Sequence, residues 1–541
     1  MRLASWEEAV AWLICNACGP LSLAYCTLRW GHYALSSTTR NPLQFASWAN
    51  LSLQTWLHAE AVWWVCMECA VRVFLDARPK AWDMTGQRWN AVRDSVKKLF
   101  VEDLLAGAGG TWVSGWLGAD YAQLKKRDLL DWWAWATCCA PSFDSLRSAE
   151  RAIVEDDVAM VEDRLGKLLC EGEASLESLS NAQEKTQAAG LPRNLAIKLN
   201  LDSVGARSAM KPLWMYALVR GVGGLFVRWL MQKRGFSRVR IGRVRFWVWR
   251  NPMHPVKRKE GKSGKSGLKA RCPVLFLHGV GVGLAPYAAL LHDLLLDAVA
   301  THRSAVIVLD MPHVSMTSPL GLALRGGVPD ASAHVAAIAR AIADCYDDGD
   351  DRVPEPAAGV SDAPPELRRR NANSEGKGEQ DGDGARPAIR GADVFAHSYG
   401  TIVAAWLIKS APDLVQSATL AEPVSLLIHH ARVARSFLYS GVAGVEQPLK
   451  TLAEMVHTRL LKMDPVIVHV LMRNFWWFEN TLFVDDLGSA AHRTTVLLSE
   501  CDDYTPSQLI RDRLTPALSD KLRLVRDRGD GKARSWRARG S

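Results

Sequence analysis

The sequence predicts an α/β fold, a mostly parallel sheet with helices on both faces, preceded by a hydrophobic, tryptophan-rich helical region. Short apolar segments that resemble buried strands alternate with helical segments from about residue 273 onward. This alternation is typical of a parallel sheet. Many of the 22 tryptophans precede the sheet, some in pairs such as Trp63-Trp64 and Trp132-Trp133. Such tryptophans indicate either a helical core or a bilayer interface.

The 541 residues, 48% of them hydrophobic, are enough for about two to four folding units. We predict hydrophobic N-terminal helices with a candidate membrane anchor, then a helical region, an α/β domain and a basic disordered tail, over residues 1–76, 77–235, 236–525 and 526–541. Residues 347–390 have almost no large apolar side chains and are expected to form a disordered insertion. A long helical stretch at about 426–487 is expected to form a lid or a core helix pair.

Three apolar runs indicate contact with a membrane. Residues 10–28 form a nearly uncharged run of about twenty residues, long enough to cross a bilayer as one helix. The runs at 61–75 and 213–231 contain charged residues, which fits amphipathic or interfacial helices better. We therefore expect a membrane-associated protein inside the cell.

Cysteine content and charge exclude several classes of protein. The 11 cysteines form no disulfide-like framework, which favours a reducing compartment. The pairs Cys15/Cys18 and Cys66/Cys69 lie within apolar helical segments and are read as buried helix faces. The net charge of +9 is spread along the chain, and no nucleic-acid motif accompanies it. The sequence thus predicts no metal, no cofactor and no nucleic-acid partner, and it gives no oligomeric state.

The predicted sheet begins with an alternating segment, residues 239–250, read as one strand with a wet face. A buried strand at 273–277 runs directly into the turn His278-Gly279-Val280-Gly281, and a helix follows at 286–300. Another strand at 305–310 precedes an alanine-rich helix at 331–346.

A strand at 392–397 then turns sharply at Ser398 into an apolar helix. Ala396 and Gly400 are small, as a nucleophile elbow requires where strand and helix pass closely. A short strand follows at 418–423, and the last clear strand lies at 494–499.

Three motifs in this order carry a family resemblance: His278-Gly279-x-Gly281, Ala396-His397-Ser398-Tyr399-Gly400 and Leu498-Ser499-x-x-Asp502. Residues 239–524 resemble the α/β-hydrolase superfamily. The resemblance implies that Ser398 is the nucleophile and that the backbone N–H groups of Val280 and Tyr399 form the oxyanion hole. It implies Asp502 as the catalytic acid, with Asp503 and Glu422 as alternatives.

The catalytic base has no counterpart. In the family the catalytic histidine follows the acid, whereas the last histidine here, His492, precedes Asp502. A strand between them would hold the two roughly 20 Å or more apart. We expect the remaining histidines to be structural or surface residues: His278, His313, His397, His429, His430, His457 and His469. We expect that the C-terminus is a truncated or altered version of a chain that once continued into a histidine-bearing loop.

The sequence therefore predicts a serine hydrolase of the esterase or lipase type. It would cleave an apolar ester, thioester or amide through an acyl-enzyme on Ser398. The small acyl substrate is inferred from the apolar lid and the hydrophobic N-terminal region. The alternative is a catalytically impaired or truncated hydrolase-fold protein that serves as a membrane-associated binding or interaction module.

Overall fold

A computed structural model describes the chain in segments. They are residues 17–35, 48–76, 116, 125–138, 140, 142–165, 204, 210–253, 271–346, 391–434, 436–437, 458–473, 475–488, 493–499, 505–518 and 523–527. The predicted insertion at 347–390, the acid candidates Asp502 and Asp503, and the tail beyond residue 527 lie outside these segments. So do the first residues of the apolar run at 10–28.

Eight strands form one sheet in the order β1-β2-β4-β3-β5-β6-β7-β8. The strands are β1 Ser237–Ile241, β2 Val244–Arg250, β3 Val274–Leu277, β4 Ala305–Asp310, β5 Ala392–His397, β6 Val415–Ala421, β7 Thr494–Ser499 and β8 Arg523–Asp527. β2 pairs antiparallel with β1 and with β4, and every other pair is parallel. The predicted fold class, a mostly parallel sheet covered by helices, is confirmed.

Two details of the predicted sheet were wrong. The segment 239–250, predicted as one strand, is the hairpin β1–β2, in which Ile241 pairs with Val244 across a two-residue turn. Gly242 has a φ of +57° there, a conformation that glycine adopts at little cost. The sheet also extends one strand beyond the predicted last strand, because β8 pairs with β7 and includes residues 526–527 of the predicted tail.

Helices cover both faces because successive residues of a strand point to opposite sides. On β3, Leu275 and Leu277 join one buried cluster, whereas Phe276 belongs to another. The helices that follow the hairpin are α7 Ala288–Ala300, α8 Pro319–Ala323, α9 Ala331–Ala343, α10 Gly400–Ser410, α11 Ala431–Ala434, α12 Pro465–Val468, α13 Trp477–Asn480, α14 Val484–Leu487 and α15 Ser507–Leu518. Short helices thus replace the predicted continuous helical stretch in the described part of 426–487.

Helices also precede the sheet, in agreement with the sequence. They are α1 Cys18–Leu35, α2 Trp48–Ala70, α3 Lys126–Cys138, α4 Ser148–Leu165, α5 Leu213–Tyr216 and α6 Gly223–Lys233. A π-helical segment, Ala217–Val222, joins α5 to α6, and the three are called the 213–233 helix below. None of the described helices combines the length and the apolar character needed to cross a membrane.

A buried polar network attaches α2 to the α/β domain. The Glu60 carboxylate accepts hydrogen bonds from the N–H groups of Leu213 (2.8 Å) and Trp214 (3.2 Å), at the start of α5. Trp63 Nε1 donates to the Lys211 carbonyl over 3.2 Å. These contacts join α2 to the start of the 213–233 helix.

The same network continues to Asp464, the N-cap of α12. Tyr216 donates its hydroxyl to Asp464 Oδ2 over 3.0 Å. Lys211 and Asp464 are both fully buried. Burial raises the pKa of Asp464, and the Lys211 ammonium, the Tyr216 hydroxyl and two backbone N–H groups oppose that rise.

Candidate active site

Ser398 lies at a sharp turn between β5 and α10. Its φ is +52°, in the left-handed region that non-glycine residues avoid. The turn is fastened on both sides: Ser398 N–H donates to the Ala421 carbonyl on β6 over 3.0 Å, and Thr401 N–H donates to the Ser398 carbonyl over 2.9 Å. Such strain persists only where the surrounding structure enforces it. The structure therefore has the strand–serine–helix elbow that the sequence predicted.

A neighbouring strand leaves no room for a side chain at Gly400. A Cβ added at this position would lie 2.2 Å from the Leu277 carbonyl oxygen and 3.0 Å from that of His278. The start of α10 thus packs against the end of β3, whereas the sequence had suggested a conflict between β5 and its own helix. The close approach brings the elbow next to the turn that follows β3.

Two glycine N–H groups in that turn have acceptors. Gly279 N–H donates to the Tyr287 hydroxyl over 3.0 Å, and Gly281 N–H donates to the Val314 carbonyl over 2.9 Å. Between them, Val280 N–H has no acceptor among the described residues, and the same holds for Tyr399 N–H at the elbow. These are the two donors that the sequence predicted for an oxyanion hole.

His397, the residue before Ser398, uses both ring nitrogens. Nδ1 lies 2.8 Å from the Tyr287 hydroxyl, and Nε2 lies 3.0 Å from Glu422 Oε2. Because the Tyr287 oxygen already accepts from Gly279, its proton is available to His397 Nδ1, so Nε2–H donates to Glu422. Burial raises the pKa of Tyr287 to about 12, which keeps that hydroxyl protonated near neutral pH. The Glu422 carboxylate thus holds His397 in place.

Two other histidines are structural. His278 Nδ1 lies 2.7 Å from the Gly279 carbonyl, and Met311 N–H donates to His278 Nε2 over 3.1 Å. These contacts fix one neutral tautomer, and burial lowers the pKa of His278. His313 is also buried, with its ring 6.3 Å from that of Tyr399. Burial lowers its pKa well below the usual value.

A cavity of about 280 Å³ opens in front of Ser398. Its polar lining comes from His397, Ser398, Glu422 and His429. The rest of the wall is apolar and comprises Trp116, Trp132, Trp135, Val280, Tyr399, Ile402, Val424, Ile428, Val433, Ala434, Phe437, Leu461, Leu471, Phe475 and Trp477. This volume is close to the lower limit of typical small-molecule sites, about 300 Å³.

Part of the wall comes from the N-terminal half. Trp132 and Trp135 lie on α3 and are buried, and the Trp135 ring lies 5.7 Å from that of Trp116. Trp116 Nε1 donates to the His429 carbonyl over 2.9 Å, and Trp477 Nε1 donates to the Ala136 carbonyl over 3.0 Å. The indole N–H groups thus join the N-terminal wall to the segment predicted as a lid.

The structure brings together only some of the predicted residues. Ser398, Val280 and Tyr399 line one cavity, whereas Asp502 lies outside the described residues. His429 also lines that cavity, although the sequence gave no reason to prefer it over the other histidines of the segment. His469 Nδ1 instead lies 3.0 Å from the Leu75 carbonyl. The sequence did not predict that Trp116, Trp132 and Trp135 line this cavity; it showed only that tryptophans cluster before the sheet.

Comparisons with known proteins add the following. No protein-family model matches the sequence, and the search of curated proteins finds no relative. An α/β hydrolase from Sphaerobacter thermophilus is 15% identical, with a TM-score of 0.29, and the match covers 54% of this chain and 91% of that one. A bacterial membrane phospholipase A is 14% identical, with a TM-score of 0.28, covering 58% and 84% of the two chains.

A third solved structure, a 2-hydroxy-6-oxo-6-phenylhexa-2,4-dienoate hydrolase from Rhodococcus, is 14% identical, with a TM-score of 0.28, and the match covers 54% of this chain and 90% of that one. The fold itself is defined by this chain's own features. They are the mostly parallel eight-stranded sheet with an antiparallel β2, the elbow after β5 and the turn after β3 that faces it. The chain is a protein of the α/β-hydrolase fold.

Proposed function

We propose that the protein is a serine hydrolase that cleaves an apolar ester, thioester or amide, with Ser398 as the nucleophile. The observation that carries the proposal is the strained elbow, which presents Ser398 to an apolar cavity beside two backbone N–H groups that have no acceptor among the described residues. A strained turn of this kind is typical of a nucleophile held for attack.

The chemistry follows from the residues at the cavity. Ser398 Oγ attacks the substrate carbonyl carbon while its proton passes to a base, and the carbonyl oxygen gains negative charge. Val280 N–H and Tyr399 N–H stabilise that oxygen as an oxyanion hole. The base then returns the proton to the leaving alcohol, thiol or amine. Water next attacks the acyl-enzyme and releases the carboxylic acid and free Ser398.

His429 is proposed as the base. Two histidines line the cavity with Ser398, and His397 has both ring nitrogens committed to Tyr287 and Glu422. Of the two described cavity histidines, we therefore assign the role of proton acceptor to His429. Asp502 stays a predicted acid, and the His397–Glu422 pair is assigned to positioning the elbow.

The substrate class follows from the cavity wall. Indole, phenyl and branched aliphatic side chains form most of the lining. An apolar acyl chain would replace water along this wall, which is favourable in proportion to the apolar area buried. The reacting carbonyl would lie at Ser398, which is one of the few polar residues of the lining. A small apolar acyl substrate therefore suits this cavity.

A fluorophosphonate probe tests the proposal on the full-length protein. We expect labelling of the wild type and none of Ser398→Ala, because the probe reacts with an activated serine hydroxyl. Hydrolysis of a short-chain p-nitrophenyl ester should fall with it, by a factor on the order of 10⁶ if the nucleophile acts as in other serine hydrolases. His429→Gln should reduce both signals and leave Ser398 in place.

Ser410→Ala is the matched control, since Ser410 lies exposed at the opposite end of α10. It should be labelled like the wild type. An unlabelled wild-type protein with a native circular dichroism spectrum would contradict the hydrolase proposal. Labelling that persists in Ser398→Ala would assign the chemistry to another residue.

The alternative is a hydrolase-fold binding module without efficient catalysis. The observation that favours it is the Ser398 hydroxyl, which has no hydrogen-bond partner among the described residues, so no base is engaged in this structure. In that case the cavity would bind an apolar ligand, and Ser398→Ala would leave ligand affinity unchanged. Titration with a fluorescent fatty acid, followed through the cavity tryptophans, separates binding from turnover.

We also propose membrane association through the 213–233 helix. The support is a row of exposed apolar side chains, all but one successive pair of them three or four residues apart: Trp214, Leu218, Val222, Leu225, Phe226 and Trp229. They remain 36–66% exposed, with the basic residues Arg228 and Lys233 beside them. An apolar helix face with flanking basic residues is typical of helices that lie in the membrane interface.

Flotation with phosphatidylcholine vesicles tests this association. The triple variant Leu218→Ser, Leu225→Ser, Trp229→Ser should lower the vesicle-bound fraction about tenfold or more, because each change removes apolar area from the interface. Leu296→Ser is the control, since this side chain is 55% exposed on α7, outside the 213–233 helix. Equal flotation of the triple variant and the wild type would refute the role of this helix.

A further inference from the structure

Six arginines gather near the carboxyl edge of the sheet, on the far side of β4 and β3 from Ser398. They are called the arginine cluster and comprise Arg220, Arg238, Arg240, Arg243, Arg245 and Arg325. Asp310, the last residue of β4, lies 3.6 Å from Arg245 Nε and 3.9 Å from Arg238 Nη2. Both distances exceed a normal hydrogen bond. Asp330 also interacts with Arg243, so two carboxylates compensate the six guanidinium groups only in part.

The cluster is only partly solvated. The side chain of Arg245 is 13% exposed and that of Asp310 is 15% exposed. Burial lowers the pKa of Arg220, Arg245 and Arg325, and repulsion from neighbouring arginines acts in the same direction. Like charges held together in a partly dry site destabilise the fold unless something neutralises them.

Two donors in the cluster lack acceptors. Arg245 Nη2 and Arg325 Nη1 are buried and have no hydrogen-bond partner among the described residues. By contrast, Arg240 Nε donates to the Gly242 carbonyl over 2.9 Å, and Arg243 Nη1 donates to the Gly326 carbonyl over 2.6 Å. A buried charged donor without a partner is costly, and a bound ion or water is the usual explanation.

A separate cavity of about 70 Å³ lies among these groups. Its lining includes Arg240, Arg243, Arg245 and Arg325 together with Asp310. The volume suits one tetrahedral or planar oxyanion and excludes a large ligand. Guanidinium groups match the oxygens of phosphate in pairs and bind them more strongly than neutral donors do.

We propose that the arginine cluster is a binding site for one phosphate group, held mainly by Arg245 and Arg325. The phosphate supplies acceptors for the two unpartnered donors and the negative charge that Asp310 alone does not provide. The site is distinct from the proposed acyl cavity, although His313 lines the phosphate cavity and its ring packs against Tyr399 beside Ser398.

Either free phosphate or a phospholipid headgroup could supply this chemistry. Arg220 belongs to the 213–233 helix, so the cluster adjoins the element whose apolar face is exposed. Arg220 Nη1 donates to the Ser315 carbonyl over 3.3 Å, which ties the helix to the loop after β4. A headgroup could therefore reach the cluster while its acyl chains contact that helix.

The test measures thermal unfolding of the full-length protein against inorganic phosphate, with chloride at matched ionic strength as the reference. Wild type should shift upward with phosphate beyond the chloride reference, because a ligand that binds only the folded state stabilises it. Arg245→Met and Arg325→Met should each weaken the apparent Kd for phosphate at least tenfold. Without phosphate each should unfold at or above the wild-type temperature, since a repelling, poorly solvated charge is removed.

Arg250→Met is the matched control, because Arg250 is exposed at the other end of β2. It should bind phosphate like the wild type. A wild-type protein whose unfolding temperature is the same in phosphate and in chloride would overturn the proposal and assign water to the two donors. Equal phosphate affinity of Arg245→Met, Arg325→Met and wild type would also overturn it.

Vesicles separate the two sources. Phosphatidylcholine vesicles containing phosphatidic acid should compete with inorganic phosphate if a headgroup occupies the site, and Arg245→Met should then lose the extra binding over pure phosphatidylcholine. Phosphate binding without such competition identifies free phosphate as the ligand. Neither result depends on hydrolysis, so failure of this proposal is distinguishable from failure of the proposed enzymatic function.

Discussion

Replacing Gly400 with alanine should destabilise the protein by about 3 kcal/mol or more and abolish reactivity at an intact Ser398. The added Cβ would lie 2.2 Å from the Leu277 carbonyl oxygen and 2.6 Å from its carbon. Both are backbone atoms of β3, so no side-chain rotation relieves the clash. The start of α10 must move away from β3, and the turn that follows β3 then moves relative to the elbow. Urea unfolding and fluorophosphonate labelling measure the two effects.

Gly224→Ala is the matched control for this substitution. Gly224 lies within α6, and a Cβ there meets no atom within 4 Å. Alanine should therefore stabilise that helix by up to about 1 kcal/mol, the usual difference between the two residues in a helix. A Gly400→Ala protein as stable and as reactive as the wild type would show that α10 does not pack this closely against β3.

Replacing Lys211 with methionine should cost roughly 3–5 kcal/mol of unfolding free energy, because it leaves the fully buried Asp464 carboxylate without its cation. The loss should be smaller in acid, where Asp464 becomes protonated. Burial already raises the pKa of Asp464, and removing Lys211 raises it further. Urea unfolding at several pH values measures both the loss and its pH dependence.

A double substitution, Lys211→Met with Asp464→Asn, should recover much of that stability, since no charge then stays buried alone. Arg72→Met is the control for simple loss of an ion pair. Arg72 and Glu68 are 2.9 Å apart with side chains 74% and 37% exposed, so this change should fall within about 0.5 kcal/mol. A Lys211→Met loss no larger than that of Arg72→Met would show that Asp464 is solvated.

Local sequence predicted the elbow well because its constraints are local. A sharp turn from strand to helix at Ser398 requires small neighbours. Ala396 and Gly400 are such neighbours, and both lie within the same five residues. The turn after β3 was equally readable, because a buried strand ends in a glycine-rich segment. The sequence could not predict that Gly400 packs against β3, since β3 lies more than a hundred residues earlier in the chain.

The cavity wall could not be predicted for the same physical reason. Tertiary packing alone brings Trp116, Trp132 and Trp135 to the cavity that Ser398 lines. No sequence pattern links these tryptophans to the elbow. The composition nevertheless posed the right alternatives, core or interface. The structure shows a core for the tryptophans of α3, which are buried, whereas Trp214 and Trp229 on the 213–233 helix are exposed and their place in an interface stays a prediction.

The arginine cluster could not be predicted, because the fold brings its arginines together from separate parts of the chain. Its members come from the 213–233 helix, the β1–β2 hairpin and the residue Arg325 after α8. In the sequence they read as a net positive charge spread along the chain. The hairpin itself was missed although the alternation changes phase at Gly242: apolar residues stand at 239 and 241 before the turn and at 244, 246 and 248 after it.

The cavity wall joins two distant parts of the chain. Ser398 belongs to the turn between β5 and α10, whereas Trp116 and the α3 tryptophans lie over two hundred residues earlier. If the protein is the hydrolase proposed above, a change in the N-terminal half alters the length or branching of the acyl chain that fits while the elbow stays the same. Selectivity and reactivity would then evolve independently along one polypeptide.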